Sequence, residues 1–237
     1  MVLHRAARVL RILPAVVCVC SALGVNAQAG EPGETWPEVS AFVPFGRQTR
    51  MYLDASYAKG KESEYATLDA AVYLDISLKP ILRGNIKEED WQRSRYLWVR
   101  IGYDRVSKVA EGAKETSEDR GIVSIYGKLE VPAQIWLEGR LRADLRWIGG
   151  DFSTRYRARL DATREFTVFG RTVVPYLNAE WFWDTRYGGV SRILWQAGPE
   201  VTVSKKFRYE IYLARQFDYH PNQSTLNALG FVAKWYF

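Results

Sequence analysis

Residues 134–147 alternate between apolar and charged side chains, and this pattern constrains the fold more than any other feature of the chain. One set of positions is Ile135, Leu137, Gly139, Leu141, Ala143, Leu145 and Trp147, and the other is Gln134, Trp136, Glu138, Arg140, Arg142, Asp144 and Arg146. A period of two places the two sets on opposite faces of a β-strand. If the apolar face meets lipid, the charged face must line a lumen, because an arginine in the middle of a bilayer costs roughly 2–4 kcal/mol.

Similar segments follow one another from Arg50 to the end of the chain, separated by polar breaks. The predicted strands are 49–59, 65–79, 94–106, 119–131, 134–147, 152–166, 171–184, 191–203, 206–217 and 225–237. Most exceed the roughly 5–6 residues usual in globular sheets and reach the roughly 9–11 residues that cross a bilayer at a tilt. The prediction is an all-β fold, an antiparallel transmembrane β-barrel over 49–237 with a polar, charged lumen.

The predicted strand number is about ten. An even number follows if both ends of the chain lie on the same side of the membrane. Residues 37–44 also alternate weakly, so twelve strands remain possible, and residues 30–48 are assigned to a segment that precedes the barrel. One break, 80–92, is long for a turn on the periplasmic side, and residues 86–91 are expected to form a short helix there.

The last strand ends the chain on an aromatic ring. Leu229, Phe231, Ala233, Trp235 and Phe237 share one face of it. The closing strand of an outer-membrane barrel carries such a face into lipid and places its terminal ring at the membrane interface. We therefore expect Phe231, Trp235 and Phe237 to form the signal through which the C-terminal strand meets the barrel assembly machinery.

The first 29 residues have the features of an export signal. Arg5, Arg8 and Arg11 precede an apolar stretch at 12–25 that is too short for a spanning helix. Small residues follow, and cleavage is expected after Ala27 or Ala29. These features predict Sec-type export and, with the barrel pattern, a location in the outer membrane of a Gram-negative bacterium, in contact with its lipids.

Composition excludes several classes of function. Both cysteines, Cys18 and Cys20, lie inside the predicted signal, so the mature chain has no thiol for a disulfide or a metal site. The formal net charge of +6 falls to about +3 once the signal is removed. That charge is too small to argue for nucleic-acid binding.

A soluble periplasmic sandwich or ligand-binding barrel is the main alternative. Its strands alternate too, but its apolar face points inward. Periodicity alone does not separate the two folds. Strand length, the aromatic residues near strand ends and the terminal Phe237 favour the membrane barrel.

Arginines are most frequent on the polar faces of two neighbouring predicted strands. The lumen candidates are Arg140, Arg142, Arg146, Arg155, Arg157 and Arg159, with Glu138, Asp144, Asp161, Glu180 and Glu200 as partners. One interpretation is a ladder of ion pairs that fills a narrow barrel, since charges in a low-dielectric lumen must be paired. The other is an arginine-lined conduit or binding site for an anionic solute.

These strands also carry a resemblance to a known family. The segments RLRADLRW at 140–147, FSTRYRARL at 152–160, VPYLNAEWF at 174–182 and NALG at 227–230 resemble a widespread family of Gram-negative outer-membrane barrels catalogued as a domain of unknown function. The resemblance covers the last hundred residues well and the first hundred loosely. It implies a single-chain barrel in the outer membrane and carries no agreed activity.

No arrangement of residues points clearly to catalysis, so we expect no enzyme and no cofactor. His220, with Asp218 and Ser224 nearby, could act at the barrel rim, but a histidine before a proline is ordinarily a solvated turn residue. Metal binding is not expected either, because the acidic groups at 62–64 and 115–119 are typical of solvated loops.

Three functional hypotheses follow from this pattern. The first is a narrow passive channel or solute-binding barrel with an arginine-rich lumen. The second is a non-conducting structural barrel whose loops contact surface partners or lipopolysaccharide. The third is a hydrolase at the rim.

Overall fold

The computed structural model describes residues 33–46, 48–60, 65–78, 95–110, 116–220 and 223–237. The described strands are β1 (Gly33–Pro44), β2 (Thr49–Gly60), β3 (Tyr65–Ser77), β4 (Leu97–Ala110), β5 (Thr116–Val131), β6 (Ile135–Ile148), β7 (Asp151–Arg164), β8 (Phe166–Val168), β9 (Arg171–Asp184), β10 (Gly189–Thr202), β11 (Phe207–Asp218) and β12 (Ser224–Tyr236). Within these ranges no helical segment has the length and apolar character needed to span a membrane. The predicted signal, with Cys18 and Cys20, and the long break at 80–92 lie outside the described residues.

Eleven of the described strands form a closed ring. Each of β1 to β6 pairs in antiparallel fashion with the next strand, β7 pairs with β9, and β9 to β12 continue the series. The short β8 continues β7 beyond a one-residue break and pairs with the start of β9. The ring closes where β12 pairs with β1 in parallel, from Gly33 opposite Asn227 to Phe42 opposite Tyr236.

The predicted barrel class is therefore confirmed, but the expected even strand number is wrong for the described ring. All ten predicted strands are present, and the eleventh is β1, which lies in the segment expected to precede the barrel. An odd number of strands makes the first and last run in the same direction, so they can pair only in parallel. As a result, Gly33 and Phe237 lie at opposite ends of the barrel, which we call the Gly33 end and the Phe237 end.

The sequence signal of β1 is weak for a physical reason. Pro37 has no backbone N–H to donate, and the pairing between β1 and β2 skips Trp36 and Pro37. The parallel seam with β12 nevertheless continues to the last residue, where the amide of Phe237 donates to the carbonyl of Phe42 at 3.1 Å.

The polar face of each strand points into the ring and the apolar face points out. The carboxyl groups of Asp75, Asp144 and Asp184 are fully buried inside, whereas Leu141 is 63% exposed and Phe152 is 58% exposed on the outer surface. This is the opposite of a soluble barrel, whose apolar face fills the interior.

Aromatic side chains mark both margins of the outer surface. Those towards the Gly33 end include Trp147, Phe152, Tyr156 and Trp183, and those towards the Phe237 end include Phe169, Tyr209, Trp235 and Phe237. Exposed aliphatic residues such as Leu141, Leu160 and Leu229 lie between them. The outer surface is therefore an aliphatic belt with aromatic borders.

Two inward tyrosines lie directly over glycines of the neighbouring strand. Tyr212 on β11 covers Gly230 on β12, and Tyr73 on β3 covers Gly102 on β4. A Cβ added at Gly230 would lie 2.0 Å from a ring carbon of Tyr212, and one added at Gly102 would lie 2.4 Å from a ring carbon of Tyr73. The absence of a side chain is what lets each ring lie flat against the wall.

We predict that Gly230→Ala lowers the stability of the folded barrel by about 1–3 kcal/mol, because the ring of Tyr212 must leave its position. Gly139→Ala is the matched control, since a Cβ at that strand glycine meets no atom within 4 Å. Urea unfolding followed by tryptophan fluorescence measures both variants. Equal midpoints for the two variants would contradict the close packing of Tyr212 on Gly230.

Candidate functional site

The predicted arginine cluster lies in the lumen, where carboxylates pair with its members. Glu180 on β9 accepts from Nη2 of Arg140 and, at 2.6 Å, from Nε of Arg157. Asp184, four residues further along the same face of β9, faces Arg146 and Arg155. Each carboxylate is thus shared by two guanidinium groups from different strands, which ties β6, β7 and β9 together.

The other members pair within their own strands. Arg142 donates to Asp144, and Arg159 binds Asp161 through two hydrogen bonds of 2.6 and 2.7 Å. These pairs span two residues on one face of a strand, so the alternating sequence alone brings them together.

Two predicted partners contact other cations instead. Glu138 lies 3.8 Å from Lys128, and Glu200 accepts from Arg208 at 3.3 Å and from Lys234 at 2.7 Å. Glu200 on β10 therefore pairs with cations of β11 and β12 instead of with the arginine cluster.

One member of the network was missed because its segment was interpreted as a solvated loop. Glu118 points inward on β5 and accepts from Arg146 and, at 2.7 Å, from Arg120. Strand β5 begins at Thr116, three residues before the predicted start, so the alternation already applies at Glu118. Its neighbour Asp119 points outward and is exposed, as a loop charge would be.

Ion pairs and apolar side chains fill the half of the lumen nearest the Gly33 end. Arg120 donates to Asp104 at 3.1 Å, next to the pairs made by Arg146. Two buried apolar clusters lie beside these pairs; they include Phe182, Leu194, Ala214 and Ala228 in one and Ala71 and Ile122 in the other. We call this region the packed half.

The other half of the lumen, nearest the Phe237 end, contains a cavity of about 470 Å³. Side chains from every strand of the ring except β3 and the short β8 line it. Charged residues of both signs and seven aromatic residues contribute; the aromatic ones are Phe42, Tyr52, Trp98, Tyr126, Trp136, Tyr176 and Tyr212.

Stacked aromatic rings form part of the wall of this cavity. Tyr236, Phe42, Tyr52 and Tyr73 lie on four successive strands with ring centroids 4.8, 4.7 and 5.1 Å apart. We call these four rings the aromatic ladder. The guanidinium carbon of Arg100 lies 4.3 Å from the centroid of Tyr52, and Arg50 and Arg208 make similar contacts with Phe42 and Tyr236. Cations in such positions are attracted to the ring faces.

Acidic groups line the wall on the β1 and β11 side of the cavity. Ser40 donates to Asp54 at 2.8 Å, and Tyr52 donates to the same carboxyl oxygen at 2.7 Å. Glu210 accepts from Tyr176 and Lys234. Both sides of the cavity therefore carry charges of both signs, such as Arg140 and Glu138 on β6 and Glu210 with Lys234 across the lumen.

The residues considered for catalysis lie at the rim of the Gly33 end. His220 is exposed and stacks on Tyr187, with ring centroids 5.1 Å apart. Asp218 accepts from Arg192 at 2.6 Å and from Gln216 at 2.7 Å, and Ser224 is its register partner on β12. Among the described residues, no group of three or more His, Cys, Asp or Glu is arranged to hold a metal ion.

The residues of the predicted assembly signal share the outer face of β12. Phe231 is 42% exposed, Trp235 is 40% exposed and Phe237 is 69% exposed. Their placement follows directly from the alternation of the last strand.

Together these features define a closed β-barrel with a charged interior. The chain belongs to the family described as protein of unknown function (DUF2490), whose family model matches residues 34–227. The match begins in β1 and ends near the start of β12, so it covers the ring except for most of its last strand and begins well before the segments that carry the sequence resemblance. No curated protein and no solved structure matches this chain.

We predict that Glu180→Gln lowers the free energy of unfolding by about 3–5 kcal/mol, because it leaves two buried guanidinium groups without their shared carboxylate. Asp119→Asn is the control, since Asp119 and its partner Arg105 are exposed on the outer face and their pair contributes less than about 1 kcal/mol. Denaturant unfolding of both variants measures the difference. A Glu180→Gln barrel as stable as the wild type would show that the network is not structural.

Proposed function

We propose that this protein is an outer-membrane β-barrel. The aliphatic outer belt with aromatic borders supports this proposal, because such a surface is stable in lipid and unfavourable in water. The inward charges support it as well, because they leave the outer surface apolar. The closed ring also supports it, since its backbone hydrogen bonds leave no strand edge that needs water as a partner. Its proposed partners are the membrane lipids and, through the outer face of β12, the barrel assembly machinery.

Within that barrel, we propose a solute-binding site rather than a through channel. The observation that carries this proposal is the contrast between the two halves of the lumen. The packed half holds fully buried carboxyl groups such as Asp144 and Asp184, and this burial favours a closed lumen there. The half nearest the Phe237 end keeps a cavity of about 470 Å³, a volume within the range of about 300–1,000 Å³ typical of small-molecule sites.

The second candidate is a structural barrel that binds no solute. The extent of ion pairing favours it, because every member of the arginine cluster contacts a carboxylate. Such a ladder by itself explains the arginines without any ligand. The two candidates differ in whether solutes reach and occupy the cavity.

We predict that the protein fractionates with the outer membrane and is heat-modifiable, so that an unboiled sample migrates differently from a boiled one in SDS. The physical reason is that a closed ring has no free strand edge at which detergent opens it. Recovery in the soluble periplasmic fraction with identical migration in both samples would refute the membrane proposal.

We predict that a water-soluble maleimide labels Thr163→Cys, whose side chain lines the cavity, and leaves Ala214→Cys unlabelled, since Ala214 is 2% exposed in the packed half. Both variants are made in a chain in which Cys18 and Cys20 are replaced by Ser. The barrel should be silent in a planar bilayer. Steady conductance with labelling at both positions would indicate a channel, and no labelling at either would indicate a structural barrel.

A further inference from the structure

The inner end of the cavity carries two buried polar atoms without a hydrogen-bond partner in the described part of the chain. They are the hydroxyl of Tyr126 and Nε of Arg140. Tyr126 is 5% exposed and Arg140 is 9% exposed, yet both line the cavity. They are direct cross-strand partners on β5 and β6. Two hydrogen-bond donors are thus held side by side on one patch of the wall.

The ring of Tyr126 is fixed by its neighbours. Trp98 stacks on it with centroids 4.7 Å apart and planes 9° from parallel. The guanidinium carbons of Arg100 and Arg140 lie 5.3 and 6.0 Å from its centroid. Because two cations flank the ring, a negatively charged acceptor at the hydroxyl is favoured over a neutral one.

The guanidinium of Arg140 is fixed from its other side. Its Nη2 donates to Glu180, and that carboxylate also accepts from Arg157. The contact holds the group in place and leaves Nε without a partner in a residue that lines the cavity. Buried donors left unpaired destabilise a fold, so proteins keep them mainly where a ligand or water completes the hydrogen bond.

We propose that Tyr126 and Arg140 form an oxyanion site, at which a carboxylate or phosphate group of a small solute accepts hydrogen bonds from the Tyr126 hydroxyl and Arg140 Nε. This inference rests on the proposed solute-binding function and names the class of solute. A solute bound there places its oxyanion at Tyr126 and Arg140, and the aromatic residues that line the cavity are available to its remainder.

The test is calorimetric titration of the purified barrel in detergent with inorganic phosphate, acetate and acetamide. Phosphate and acetate should bind in a saturable manner, and acetamide, which has the shape of acetate without its charge, should not. A short-chain phosphatidic acid serves as a further probe. Tighter binding of that lipid than of phosphate would identify a lipid headgroup as the source of the oxyanion, and the reverse would identify a free solute.

Tyr126→Phe removes the hydroxyl and keeps the ring stacked on Trp98. It should weaken phosphate binding about tenfold, equivalent to about 1.4 kcal/mol, without lowering the unfolding midpoint of the ligand-free barrel, because it removes an unpaired buried group. Arg140→Lys, which keeps a cation near Glu180 but has no Nε donor, should weaken binding as well. Tyr103→Phe is the matched control, since that tyrosine lies on the outer face and its hydroxyl donates to Asp119.

Wild-type affinity in Tyr126→Phe, or no saturable phosphate binding by the wild type, would overturn the oxyanion site. A lower unfolding midpoint in Tyr126→Phe with unchanged affinity would assign the hydroxyl a structural role instead. These outcomes can be distinguished from failure of the proposed solute-binding cavity, which the maleimide labelling tests. If Thr163→Cys is labelled while phosphate does not bind, the cavity proposal stands and only the oxyanion site is wrong.

Discussion

Pairing of arginine with carboxylate inside the ring is the interaction on which the rest of the barrel depends. A strand whose apolar face points outward must send its charged residues inward at every second position. In an interior of low dielectric those charges are stable only when they are paired. Glu180 and Asp184 meet this requirement by each facing two guanidinium groups. Because these partners come from β6 and β7, the same contacts hold the register of three strands. The network also occupies space in the half of the lumen that contains it.

Much of this fold could be predicted from the sequence because alternation is a local property. The predicted strand 171–184 coincides with β9, and the other nine overlap the observed strands with shifts of a few residues at their ends. The assignment of faces is also local, so the inward position of Arg140 and the outward position of Trp235 followed from the period of two. Pairs within one strand, such as Arg159 with Asp161, could be predicted from the sequence for the same reason.

What could not be predicted depends on how strands lie beside one another. The parallel seam between β1 and β12 joins residues nearly two hundred positions apart, and no local pattern contains that information. Glu118 was placed in a loop because the predicted strand began three residues too late. A charged residue next to a strand end is assigned to solvent or to the lumen according to where that boundary is drawn. The aromatic ladder was missed for a related reason. Phe42, Tyr52 and Tyr73 are recognisable singly, but only the register of three strands brings their rings into contact.

The location of the cavity follows from how side chains in the two halves use the lumen. In the packed half, small inward residues such as Ala214 and Ala228 lie in a buried cluster, and long side chains such as Arg146 bind carboxylates of other strands. In the other half, successive rings of the aromatic ladder are separated by 4.7–5.1 Å, close to the spacing of adjacent strands. Each ring therefore stacks on its neighbour along the wall, and arginines lie on the ring faces instead of crossing the lumen. The space at the centre stays open as a consequence of these contacts. The chemistry of this cavity then depends on the few polar atoms of its wall that have no partner in the aromatic ladder or the ion pairs. On β5 and β6 these atoms are the hydroxyl of Tyr126 and Nε of Arg140, which are hydrogen-bond donors beside cations.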